Sequence, residues 1–123
     1  GGNSTKASTN VRPPKPGIPQ QSSDVTGIYR TSHQATLQLR RNGNLSLIVP
    51  VSSVRASSGN YTLSAGTFEL TTNQCGDKVG RYTVEVRGQQ VAGEAILAFT
   101  ALDDTCADRR RYLTIDPWYY ADS

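Results

Sequence analysis

Residues 35–51 read Ala-Thr-Leu-Gln-Leu-Arg-Arg-Asn-Gly-Asn-Leu-Ser-Leu-Ile-Val-Pro-Val. Leu37 and Leu39 alternate with Gln38 and Arg40; past the break, Leu45, Leu47 and Val49 fall on one face. A period of two is that of a β-strand with one face turned inward. Between the runs, Asn42-Gly43 is the strongest short hairpin signal, because both residues tolerate positive φ. Pro50 lacks an amide hydrogen and so ends the second strand or places it on an edge. The stretch is a hairpin, with strands over 35–41 and 45–51.

The same alternation extends outward. A strand over 25–31 carries Gly27-Ile28-Tyr29. Residues 60–64 put Tyr61 and Leu63 together, and Gly66 separates them from 67–72, where Phe68 and Leu70 share a face. Over 80–87, Tyr82, Val84 and Val86 oppose Arg81, Thr83, Glu85 and Arg87. Residues 95–102 are apolar on both faces, and 111–116 close the series with Leu113 and Ile115. No window sustains a helical period. Eight short strands with β-branched and aromatic residues in each run mean an all-β antiparallel barrel or sandwich. The succession of hairpins favours an up-and-down barrel, whose closure removes the exposed edges that a chain with only three lysines is poorly equipped to protect. An eight-stranded interior is filled by side chains or holds one small ligand.

The chain has 123 residues, room for one domain. Residues 1–24 differ from the rest: four of the six prolines (Pro13, Pro14, Pro16, Pro19) lie there, with Val11 and Ile18 the only large apolar groups. This segment reads as an extended arm, either a flexible tether or a docking arm, ahead of a barrel domain over 25–123. Without Met, and opening Gly1-Gly2-Asn3, the chain reads as processed or trimmed. No run approaches the roughly 20 apolar residues of a transmembrane segment.

Charge points away from nucleic acid. Of the net +3, the arm contributes Lys6, Arg12 and Lys15 against Asp24, which leaves the barrel region nearly neutral. Its basic runs, Arg40-Arg41 and Arg109-Arg110-Arg111, lack interleaved aromatics, and the second is neighboured by Asp103, Asp104 and Asp108. That acidic group lacks the spacing and glycine of a calcium loop, and is expected to make turns and to pair with the arginines. No metal or cofactor is expected. Nor is catalysis: His33 is the only imidazole, and no phosphate loop or zinc signature occurs. Cys75 and Cys106, each beside a turn, are expected to form a structural disulfide, which fits an extracytoplasmic protein: periplasmic, cell-surface or secreted. Asn3, Asn44 and Asn60 open glycosylation sequons. The aromatic end Trp118-Tyr119-Tyr120 either lids one end of the barrel or is exposed for a partner.

Gly27-Ile28-Tyr29 on the first strand, the meander and a late arginine resemble the lipocalin-like, or calycin, barrels. The second half, with Gly59-Asn60-Tyr61, Cys75, Gly80-Arg81-Tyr82, Asp103-Asp104-Thr105-Cys106-Ala107-Asp108-Arg109 and Trp118, is similar to small exported bacterial lipoproteins of that shape. The resemblance implies a lipid anchor upstream of Gly1, and Arg109 or Arg111 packed over Tyr29 to close the barrel. The expected function is a non-enzymatic, envelope-tethered binding module that engages a protein partner or a second copy of itself. The alternatives are a carrier of a small apolar ligand, a cyclase or isomerase acting by confinement, and a protease inhibitor. Candidate binding residues are Tyr61, Tyr82, Tyr112, Trp118, Tyr119 and Tyr120.

Overall fold

The computed structural model describes residues 13–49, 55–88 and 95–122. Eight strands follow in order: β1 (Gly27–Arg30), β2 (Thr36–Leu39), β3 (Asn44–Val49), β4 (Arg55–Ser64), β5 (Thr67–Thr72), β6 (Gly80–Gly88), β7 (Ala95–Asp103) and β8 (Trp118–Asp122), with one helix, α1 (Ala107–Ile115), between the last two. Each strand pairs antiparallel with its predecessor, and β8 returns to β1 to close an up-and-down barrel. One end, the base, carries the β2–β3 and β4–β5 turns. The other, the mouth, carries the β1–β2 and β5–β6 connections and the segment from Asp104 through α1.

Local chemistry explains the turns. At the β2–β3 hairpin the Gly43 amide donates to the Arg40 carbonyl at 3.0 Å, and the Arg40 amide to the Asn44 carbonyl at 2.9 Å. Of the Asn42-Gly43 pair only Gly43 takes positive φ, at 95°. Asn42 instead accepts the Asn44 amide on its side-chain oxygen at 3.0 Å. This is a three-residue turn with a glycine bulge, and not the two-residue turn that the dipeptide predicts. At the β4–β5 turn both Ala65 and Gly66 are left-handed, with φ of 50° and 84°.

The arm's residues 1–12 lie outside the described residues, as do 50 and 51 at the end of the expected third strand. The remainder of the arm lies against the barrel. Gly17 and Val86 exchange two backbone hydrogen bonds of 2.8 Å, and the Ala65 and Gly66 amides donate to the Gln20 and Pro19 carbonyls at 3.1 and 2.8 Å. Pro14 and Pro19 are buried. Amides that would otherwise face water at the base thus find partners in the chain that precedes β1.

Inside, inward residues alternate along every strand as the period of two requires. Tyr29, Leu37, Phe68, Tyr82, Leu97 and Trp118 are among those buried completely or nearly so. Tyr61 stacks on Phe68 with centroids 5.2 Å apart, and Phe68 meets Phe99 edge-on at 5.1 Å. These rings fill the interior from the base upward.

Two elements differ from the sequence expectation. The fourth strand begins at Arg55, not at residue 60, because residues 55–59 pair with β3 although their composition is weakly apolar. The eighth strand is Trp118–Asp122, and residues 107–115, expected to be partly strand, are helix. The buried positions of α1 are Arg109 and Leu113, one turn apart. With an arginine on its inward face, the helix carries no apolar stripe for a periodicity search to find. Asp108 in its first turn and Pro117 just beyond its end are the boundary signals that were present.

Candidate functional site

The mouth is built on a buried polar network. β7 ends at Asp103, and Asp104 turns inward so that its Oδ1 accepts the Cys106 amide at 2.9 Å, starting α1. One turn into the helix, Arg109 forks back onto the same carboxylate: Nε to Oδ2 at 2.9 Å and Nη2 to Oδ1 at 2.8 Å. Its remaining reach goes to the Lys78 carbonyl at 3.0 Å and to Thr72 Oγ1 at 3.2 Å. The Tyr82 hydroxyl donates to Asp104 Oδ2 from below. Both members of the ion pair are almost wholly shielded, with side-chain exposures of 2% and 0%. Burial pushes the Asp104 carboxyl up, but the hydrogen bonds from Arg109, Tyr82 and the Cys106 amide outweigh it and hold the group below its ordinary range. Burial, the Asp104 hydrogen bond and the Asp104 charge all push the Tyr82 phenol well above its usual value, outweighing the opposing effect of Arg109.

Gly80 makes the pair possible. A Cβ there would lie 2.6 Å from Asp104 Oδ2 and 2.9 Å from Arg109 Nη2. The Cys75–Cys106 disulfide, with Cα atoms 5.9 Å apart, ties the β5–β6 connection to the start of the helix. At the far end of α1, Trp118 Nε1 donates to the Leu113 carbonyl at 3.1 Å and so satisfies one of the helix's orphan acceptors.

Against this frame lies a cavity of about 370 Å³, lined by Leu47 and Val49 of β3, Ser57 of β4, Thr72 of β5, Gln74, the two cysteines, and Asp108, Arg109 and Tyr112 of α1. Ser57 is 3% exposed, and its Oγ is buried with no hydrogen-bond partner. A second cleft of about 380 Å³ runs under the proline segment at the base, lined by Pro13, Pro14, Lys15, Pro16 and their neighbours. Among the described residues it has no such unpartnered buried polar group.

The expected binding residues are dispersed. Tyr61 and Tyr82 belong to the core, and burial pushes the Tyr61 phenol up to about 12. The Tyr61 hydroxyl donates to the Arg40 carbonyl at 2.6 Å, at the base. Trp118 is completely buried at the top of β8, Tyr119 faces outward, and Tyr120 is half-buried. Only Tyr112 lines the mouth cavity. Tyr29 also points to the base: its hydroxyl donates to the Val25 carbonyl at 2.8 Å and its ring meets Tyr120 at 5.7 Å. Burial, with smaller effects of Tyr120 and Tyr61, pushes its phenol well up. Arg109 is therefore engaged at the opposite end from the Tyr29 hydroxyl, and Arg111 is exposed. His33 bonds Asp116 at 2.6 Å on the outside of the mouth, with its side chain 71% exposed.

Sequence reasoning missed Ser57 and Thr72, which read as ordinary hydroxyl positions. The signal was the inward phase of β4: counting back from Tyr61, the inward places fall on Gly59 and Ser57, where a filled barrel would carry large apolar groups. Fold and site together define a small closed antiparallel barrel with a packed interior and a partly open, hydroxyl-lined mouth, consistent with a lipocalin-like fold. Comparison with protein-family models, curated proteins and solved structures gives no match.

Proposed function

We propose that the protein is a non-enzymatic, exported binding module that takes a small ligand at the mouth of its barrel. The observation that carries this reading is the mouth cavity, with its unpartnered buried Ser57 hydroxyl, above an interior already filled by aromatic rings. Specific pockets are mostly apolar and carry a few placed polar groups, and a cavity of about 370 Å³ falls in the range used for small ligands. Export is supported by the disulfide. A lipocalin-like ancestry and an envelope tether, with a lipid anchor upstream of Gly1, rest on the sequence resemblance alone. The protein-partner reading has less support: the exposed large apolar side chains described, Ile18, Ile48, Val79, Leu102, Ile115 and Tyr119, come from separate segments of the chain.

Native mass spectrometry of protein recovered gently from its source tests the reading. A small mass lost on denaturation supports it. A bare chain that also fails to take up any small molecule at the mouth by NMR refutes it, and a complex of several chains favours the partner reading.

A further inference from the structure

Among the described side chains, the mouth carries hydrogen-bonding groups but no free cation facing its apolar wall. Arg109 is neutralised by the carboxylate of Asp104 in a two-point fork. Among the described residues, the one other charged group that lines the cavity, Asp108, is exposed in the first turn of α1. Thr72 Oγ1 accepts from Arg109 Nη1 at 3.2 Å, which leaves its own hydroxyl hydrogen to donate. Ser57 both donates and accepts, and at 3% exposure it does neither within the protein. It lies directly across the ladder from Leu47. Leaving such a hydroxyl unpaired is costly where the other described buried polar side chains are satisfied, and an oxygen-bearing occupant would remove that cost.

From this we infer that the mouth selects an uncharged molecule with an apolar body and one oxygen-bearing head, a ketone, ester or alcohol, and that Ser57 is the residue that reads the head. The inference rests on the mouth-binding function proposed above and deepens it. The head receives hydrogen bonds from Ser57 and Thr72, while the body lies against Leu47, Val49 and the Tyr112 ring. A carboxylate gains nothing equivalent from the described lining: no free cation there offsets its desolvation, and Asp108 repels it.

The test is ¹⁵N NMR titration of the oxidised protein with 2-octanone and with octanoate at pH 7, in wild type and Ser57→Ala. The expected result is that 2-octanone shifts amides around Ser57, Thr72 and Tyr112, and that octanoate binds at least tenfold more weakly. Ser57→Ala should weaken 2-octanone about three- to tenfold, the worth of one hydrogen bond, with a melting temperature equal to or above wild type, because it deletes an unpaired polar group. Tighter binding of octanoate overturns the ligand class and leaves the mouth as a binding site. Unchanged 2-octanone affinity in Ser57→Ala, or a lower melting temperature, overturns the role of Ser57. Absence of mouth shifts with both compounds removes the binding function itself.

Discussion

Replacing Arg109 with leucine tests the mouth's foundation. The substitution keeps the apolar stem and deletes the fork, so that Asp104 is left in a site where its side chain is 0% exposed, with the Cys106 amide and the Tyr82 hydroxyl as its remaining hydrogen-bond partners. Removing one member of a buried pair costs about 3–5 kcal/mol, because the other charge stays buried and uncompensated. For a chain of this size a loss of about 3 kcal/mol lowers the melting temperature on the order of 15 °C. The pH dependence is the sharper readout. In the wild type Asp104 is held below its unfolded value of about 3.9, so the unfolded chain binds the extra proton. Its contribution is complete above about pH 5 and is lost as pH falls through the native value. In Arg109→Leu, burial without the cation raises the carboxyl instead, so protonation favours the folded variant. The stability difference between the two proteins, from urea unfolding at intervals between pH 7 and pH 3, should therefore shrink steadily as pH falls. A cost under about 1 kcal/mol, or a difference independent of pH, would refute the claim that this ion pair holds the mouth.

Gly80→Ala forces a methyl group against the same pair and should cost about 1–3 kcal/mol in urea unfolding; in an Arg109→Leu background the cost should shrink, and strict additivity would mean the two positions act separately. Reduction of Cys75–Cys106 releases a 31-residue separation and should lower stability by about 3–4 kcal/mol on the chain-entropy account, read as a drop in melting temperature with dithiothreitol. Ala65→Gly relieves a left-handed alanine and should stabilise the protein by about 0.5 kcal/mol; destabilisation would show that the arm's contacts, and not the turn, set the conformation there.

Most of the barrel was legible in the sequence because its strands obey one rule. Leu37, Leu39, Leu45, Leu47 and Val49 are inward wherever the period of two places them, and the same phase orders β5, β6 and β7. The last element was not legible, since the inward position that organises α1 is Arg109, which hydrophobic pattern counts as solvent-facing. Its burial depends on Asp104, five residues earlier, and on Thr72 and Gly80, a contact no local window contains. The disulfide was legible from two cysteines beside turns. The mouth cavity was hidden for the opposite reason: Ser57 and Gly59 look like loop composition, and only pairing with Leu47 and Leu45 of β3 turns them inward.

The position of that cavity follows from the way the barrel closes. β8 pairs with β7 only through Tyr119–Ile96 and Trp118–Leu97, near the base end of β7, so the upper half of β7 runs on to Asp103 paired with β6 but without β8 on its other side. α1 packs there, with Leu113 completely buried and Trp118 bonded to its last turn. The helix covers the β7 side of the mouth and leaves the β3–β5 side to its own strands. On that side β4 offers no bulk: Ser57 is small, and a Cβ at Gly59 would lie 1.8 Å from the Thr71 carbonyl oxygen, which the close approach of β5 forbids. Space is therefore left where small residues face a helix held at both ends, by the disulfide and by Trp118. A pocket bounded in this way is pre-formed, so an occupant pays little to order it, and modest contacts are enough for selective binding.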